Sequence, residues 1–296
     1  MTKKPALNIF ISPIAMLALM AVIFVGSANA AEIHQQRMLN LTLSESMLTH
    51  KMSKEMLLAA LGVDKQRSLR RLESARSLFG RTLVGLQEGD VELGLIGSDN
   101  EAFLKGLDRV KEFWVLFDDT LRSVVKSGEV TKAQIGVIAT LSPSMYDALE
   151  ISTKVLKKEG AKNKHANLTS ILEVAISLAA EQRMLTQKMT KEFLLIAFGH
   201  EPKRNRKTLK ATMERFQRIL VGLTDGDLTM RLVRAPTPEI KLQLQKIRRI
   251  WDEFAPTMKK VADGAQADGE SINHVARMNV PLLKATNMAV FMYEAL

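Results

Sequence analysis

Apolar residues recur along this chain at spacings of three, four and seven, which is the periodicity of an amphipathic helix. One such stripe consists of Leu178, Leu185, Met189, Phe193 and Ile196. Segments rich in Gly, Pro and Asp, which interrupt helices, separate the stretches that carry this pattern. We therefore predict helices at residues 33–61, 66–88, 100–127, 130–158, 167–198, 203–224, 237–263 and 266–295.

The second half of the chain repeats the first half at an offset of 137 residues. Residues 47–62 read MLTHKMSKEMLLAALG and residues 184–199 read MLTQKMTKEFLLIAFG, with 11 of 16 positions identical. The two tryptophans, Trp114 and Trp251, are separated by the same offset. A duplicated unit of roughly 125 residues has the size of a small domain rather than of a solenoid repeat.

Four helices of this length joined by short loops form an antiparallel four-helix bundle. We therefore predict an all-α fold of two tandem antiparallel four-helix bundles, at residues 31–160 and 165–296. The polar stretch at 157–167 (KKEGAKNKHAN) is predicted to be the linker between them.

The N-terminal residues have the layout of a secretory signal peptide. Lys3 and Lys4 precede an apolar stretch, and Ala28-Asn29-Ala30 provides small residues for cleavage. We predict that residues 1–30 are removed and that the mature protein is periplasmic, with an uncleaved inner-membrane anchor as the alternative. The absence of cysteine fits export and excludes disulfides and thiolate chemistry.

Charge and motif content narrow the functional classes. The formal net charge of +10 favours an anionic ligand, a membrane surface or an acidic partner. The charges are interspersed rather than concentrated, so we expect no nucleic acid partner. The sequence contains no H-E-x-x-H, no glycine-rich phosphate loop and no ordered Ser-His-Asp set. We expect no enzymatic activity, no metal site and no cofactor.

Basic residues are concentrated at the start of the second helix in both copies. Cations at a helix N-terminus oppose the helix dipole, so this repeated arrangement is unexpected and suggests an anion site. A solvated basic end is the alternative interpretation. The residues are Lys65, Arg67, Arg70 and Arg71 in copy one, and Lys203, Arg204, Arg206, Lys207 and Lys210 in copy two.

The first helix of copy two contains the most specific local pattern, EQRMLTQKM at residues 181–189. Residues 176–191 resemble the opening helix of the PilJ-type N-terminal domain of type IV pilus chemotaxis transducers. That domain is similar to the periplasmic domain of nitrate/nitrite sensor kinases. The single tryptophan of each copy and the Leu-x-x-Gly segment at 220–226 agree with this resemblance, which covers both copies.

The resemblance implies a binding site on the first helix of copy two. In the nitrate sensors, an arginine at the position of Arg183 binds the anion where the first helices of two subunits meet. The expected ligand-binding residues are Arg183, Lys188, Gln182 and Gln187, and Lys188 lacks the bidentate geometry of arginine. Copy one has Ser46 at the position of Arg183 and Glu45 at the position of Gln182, so we expect it to have lost this site.

Two hypotheses follow. The first is a non-catalytic periplasmic sensory or ligand-binding protein that binds a small oxyanion such as nitrate or nitrite and signals through a membrane receptor. The alternative is an interaction protein that docks onto a pilus or envelope component without a small ligand. For the sensor, we favour a homodimer formed through the first helix of copy two. Pairing of the two copies within one chain is the other arrangement.

Overall fold

The computed structural model describes the backbone of residues 13–162 and 167–296, and the side chains of residues 33–160 and 171–296. Within these residues the chain is helical, with no β-sheet and only isolated bridges in the loops. The helices are α1 (Pro13–Ala60), α2 (Lys65–Glu88), α3 (Glu101–Ser127), α4 (Lys132–Lys162), α5 (Asn167–Ala197), α6 (Pro202–Asp225), α7 (Pro238–Ala262) and α8 (Gly269–Glu294), with a short 3₁₀ helix at Leu228–Met230.

Each copy is a four-helix bundle in which every helix packs against its neighbours in chain order. In copy one α1 contacts α2, α2 contacts α3, α3 contacts α4, and α4 returns to α1; helices α5 to α8 repeat this order. Each bundle encloses an aromatic group of one tryptophan between two phenylalanines, such as Phe216, Trp251 and Phe254. The predicted all-α fold of two tandem four-helix bundles is confirmed.

The 137-residue offset extends to backbone geometry. The antiparallel bridge Asp90–Leu95 after α2 has its counterpart in Asp227–Leu232 after α6. The residue before each second helix is left-handed, with φ of 43° at Asp64 and 40° at Glu201. Such values are uncommon for residues other than glycine, so their recurrence indicates that both copies have the same loop geometry.

The two bundles pack side by side through their first helices, α1 and α5. Arg183 of α5 contacts Ser44 of α1, and Lys191 contacts His50, so residue numbers increase in the same direction along both helices. The helices are therefore parallel, as in an isologous dimer, but within one chain. The pairing within one chain is therefore the arrangement observed, and a homodimer through α5 would have to form on a face that α1 already covers.

Two further predictions concern the chain around the bundles. The predicted linker at 157–167 is shorter in the structure, because α4 continues to Lys162 and Gly160 is accommodated within it. Residues 1–12 of the predicted signal peptide lie outside the described residues, while the backbone of 13–30 is part of α1. Among the helices that the structure describes, none has the length and apolar character needed to cross a membrane.

Candidate functional site at the interface between α1 and α5

Arg183 lies at the contact between the two copies. Its Nη2 donates a hydrogen bond to Oγ of Ser44 on α1 at 2.8 Å, while its buried Nε has no partner. Burial lowers the pKa of Arg183, and the nearby carboxyl group of Glu294 opposes this effect. No carboxylate forms an ion pair with Arg183 within the described part of the chain. A partly buried guanidinium with an unused, buried N–H favours binding of an additional acceptor.

The other three predicted ligand residues point in different directions from Arg183. Gln182 is buried in its own bundle, where Nε2 donates to the carbonyl oxygen of Phe216 at 3.1 Å. Lys188 is half-buried, and its Nζ lies 3.8 Å from Oε1 of Glu192. Gln187, one turn after Arg183, contacts Asn279 at 3.3 Å and leaves its buried Oε1 without a partner. Thus only Gln187 remains near the interface with an unused polar atom.

The counterparts in copy one are buried and include no cation. Ser46 is buried and its Oγ has no hydrogen-bond partner, and neither carboxylate oxygen of Glu45 has one. Burial raises the pKa of Glu45 well above its ordinary value, which favours the neutral acid. The interface therefore has one arginine rather than two.

Two lysines cross the interface reciprocally, about two turns beyond the Arg183 level. Nζ of Lys54 on α1 donates to Oδ1 of Asn279 on α8 at 2.8 Å, and Nζ of Lys191 on α5 donates to Oγ of Ser142 on α4 at 3.2 Å. Lys54 and Lys191 are equivalent in the repeat, as are Ser142 and Asn279. Each copy therefore reaches the fourth helix of the other through the same position, as a two-fold symmetric interface requires.

The lysine pair lies in a buried polar layer that the sequence predictions did not assign to the interface. Nζ of Lys191 also lies 3.3 Å from Nδ1 of His50. Burial, followed by the charges of Lys191 and Lys188, lowers the pKa of His50 well below its ordinary value, so the imidazole is neutral and accepts from the lysine. Burial lowers the pKa of Lys191 to about 8, with Glu192 opposing the shift. The signal in the sequence was the Lys-Glu pair conserved between the two repeated segments on an otherwise apolar face.

A cleft of about 540 Å³ opens between the copies on the N-terminal side of Arg183. Its polar wall includes the bidentate pair between Arg215 and Glu181, with both N–O distances at 2.7 Å. Glu181 precedes Arg183 by two residues, so the cleft brings solvent close to the interface at this level. Other lining residues are Gln35, Leu39, Lys157 and Ser177.

Comparisons with known proteins identify the relatives of this arrangement. The family model described as "Type IV pili methyl-accepting chemotaxis transducer N-term" (PilJ) matches residues 34–137 and 173–277. The methyl-accepting chemotaxis protein McpN of Pseudomonas aeruginosa is 35% identical over 97 residues, which are 32% of this chain and 18% of that receptor. A solved structure titled as the ligand binding domain of the P. aeruginosa nitrate receptor McpN is 31% identical, covering 41% of this chain and 94% of that domain with a TM-score of 0.36.

The family match places both copies among the N-terminal domains of type IV pili methyl-accepting chemotaxis transducers. The family model matches each copy separately and together covers most of the chain. The chain belongs to the PilJ family and carries two tandem copies of its domain, as the resemblance of residues 176–191 implied. The aligned segment spans less than a fifth of the full receptor.

Proposed function

We propose that this protein is a non-catalytic periplasmic sensor that binds a small oxyanion, such as nitrate or nitrite, at Arg183. The observation that carries the proposal is the position of Arg183, whose guanidinium reaches Ser44 across the interface and retains an unpartnered Nε–H. In the family pattern, the equivalent arginine meets the anion between two first helices. Here α1 and α5 provide that pair within one chain.

The two walls of the proposed site are unequal. Arg183 comes from α5, whereas α1 contributes the hydroxyl groups of Ser44, which accepts from Arg183, and of Ser46, which has no partner. A planar oxyanion would accept from the guanidinium and from the hydroxyl group of Ser46, because the Ser44 hydroxyl already donates to the carbonyl oxygen of Asn40 at 2.9 Å. We propose a membrane receptor as the partner to which the bound state is passed.

Isothermal titration calorimetry of the purified protein with nitrate and nitrite tests the proposal. Arg183→Ala should weaken binding by about tenfold to a hundredfold, because each charge-assisted hydrogen bond contributes about 1.5–3 kcal/mol. Arg70→Ala is the matched control, since Arg70 is exposed on α2 and lies outside the interface. Sedimentation velocity with and without nitrate should show a monomer in both conditions.

Two outcomes would contradict this proposal. Ligand-driven dimerisation that Arg183→Ala abolishes would show that the anion binds between separate chains. If no anion produces heat or a melting shift, the oxyanion sensor is excluded and the envelope or pilus interaction protein becomes the better hypothesis.

A further inference from the structure

The two basic segments at the starts of α2 and α6 have different surroundings. In copy two, Nε of Arg206 donates to the carbonyl oxygen of Val261 at the C-terminal end of α7, at 3.1 Å, and Lys210 pairs with Asp263 at 2.8 Å. Cations there satisfy the last carbonyl groups of α7 and interact favourably with its dipole. The copy-two segment therefore has a structural role.

In copy one, Lys65 pairs with Glu129 at 2.9 Å, but Arg67 and Arg71 line a cleft between the two copies. The cleft has a volume of about 650 Å³ and lies between the start of α2 in copy one and α8 in copy two. Arg71 projects from α2 and Arg277 from α8. Its apolar lining consists of Leu58, Val63, Ala276, Val280 and Pro281.

The cations of this cleft are only partly neutralised. Arg67 pairs with Asp64 at 3.4 Å, and Glu270 also lies on the wall. Neither Arg71 nor Arg277 has an ion pair with any described carboxylate. The charge of Arg71 also acts on the neighbouring Lys51. Burial lowers the pKa of Lys51, Glu55 opposes this shift, and the positive charge of Arg71 lowers the pKa further.

The internal repeat shows that packing does not require these arginines. The position equivalent to Arg71 is Thr208, and the position equivalent to Arg277 is Thr140. The equivalent helices, α6 and α4, have threonine at both of these positions. The arginine pair is therefore a property of one cleft and not of the fold.

We propose that this cleft binds a small multivalent oxyanion, a polycarboxylate or a polyphosphate, through Arg71 and Arg277. Guanidinium groups present paired N–H donors that match carboxylate and phosphate oxygens. A ligand with two anionic groups engages both walls at once, whereas a monovalent anion meets one arginine. The volume is within the range of small-molecule sites.

This site goes beyond the proposed function, because it uses other residues and another class of anion. It joins α2 of one copy to α8 of the other. A bound ligand would therefore stabilise the pairing of the two bundles, which also forms the α1–α5 interface.

Calorimetric titration of the purified protein with citrate and with pyrophosphate tests the proposal, and the two probes distinguish a carboxylate from a phosphate ligand. Arg71→Thr and Arg277→Thr should each weaken binding of the preferred probe by about tenfold or more. Threonine is the matched replacement, because the other copy has it at both positions. Arg70→Thr, one residue from Arg71 and exposed, should leave the affinity unchanged.

Two further measurements make the result decisive. Arg71→Lys keeps the charge but loses the bidentate fork, so it should weaken binding while the melting temperature without ligand is unchanged. Nitrate titrations of Arg71→Thr should match those of the unmodified protein, which separates this cleft from the Arg183 site. The proposal is overturned if neither probe binds at millimolar concentration, or if Arg70→Thr weakens binding as much as Arg71→Thr.

Discussion

Replacing Glu45 by glutamine should stabilise the protein. Glu45 is fully buried on α1, and neither of its side-chain oxygens has a hydrogen-bond partner. Its counterpart in copy two is Gln182, whose Nε2 donates to the carbonyl oxygen of Phe216 at 3.1 Å. The residue equivalent to Phe216 is Phe79 on α2, so glutamine at position 45 is expected to donate to the Phe79 carbonyl in the same way.

The size of the effect follows from the hydrogen bonding. A buried polar group without a partner costs about 1–3 kcal/mol, and a new neutral hydrogen bond contributes about 0.5–1.5 kcal/mol. We therefore expect Glu45→Gln to increase the free energy of unfolding by about 1–3 kcal/mol at pH 8. The melting temperature should rise by about 2–4 °C for each kcal/mol.

The effect should depend on pH with a defined sign. Burial raises the folded-state pKa of Glu45 well above the unfolded value of about 4.3. The unmodified protein therefore loses stability as the pH rises from the unfolded pKa through the raised folded pKa, because in this window the carboxyl group ionises in the unfolded chain while the buried acid keeps its proton. Glutamine does not titrate, so the advantage of the variant should be smallest near pH 4 and should grow across this window.

Thermal unfolding of both proteins by circular dichroism at several pH values is the measurement. The control is Glu88→Gln, the same substitution at an exposed position of α2, which should change stability by less than about 0.5 kcal/mol at any pH. A Glu45→Gln variant that is less stable at pH 8, or whose advantage is the same at every pH, would refute the reasoning.

Two further predictions concern stability. Lys54→Met should destabilise the protein by about 3 kcal/mol in chemical denaturation, because Glu55, 2.8 Å from Lys54, would be left buried without its cation. The control Lys65→Met breaks an exposed ion pair and should cost less than about 1 kcal/mol. Equal losses in the two variants would contradict the role of burial. Gly94→Ala should cost about 1 kcal/mol, because φ is +65° and this backbone conformation strains any residue with a Cβ. The exposed end of Arg37, whose Nη1 would lie 1.7 Å from that Cβ, can move aside. An unchanged melting temperature would contradict this prediction.

The sequence by itself determined the secondary structure and the repeat. Apolar periodicity defined the helices other than α1 to within a few residues, because helix formation depends on local spacing and on the residues at each end. The first helix was predicted from residue 33, whereas α1 begins at Pro13. The offset of 137 residues predicted equivalent loops, and the paired bridges after α2 and α6 have that offset. Family membership was also readable from residues 176–191, since the motif is contained within a single helix.

The candidate site was only partly readable. The sequence identified Arg183, and the structure places it at the interface between the copies. The sequence analysis grouped Gln182 with Arg183 because the two residues are adjacent in sequence. Adjacent residues on a helix point about 100° apart, however, and Gln182 contacts α6 instead.

The tertiary structure alone decided how the two copies pair. Both arrangements, between chains or within one chain, bury the same face of α5, so helical periodicity cannot distinguish them. The decisive contacts join residues far apart in sequence, such as Lys54 with Asn279 and Lys191 with Ser142. Buried lysines require specific acceptors, and only the folded chain shows that each copy supplies the acceptor for the other.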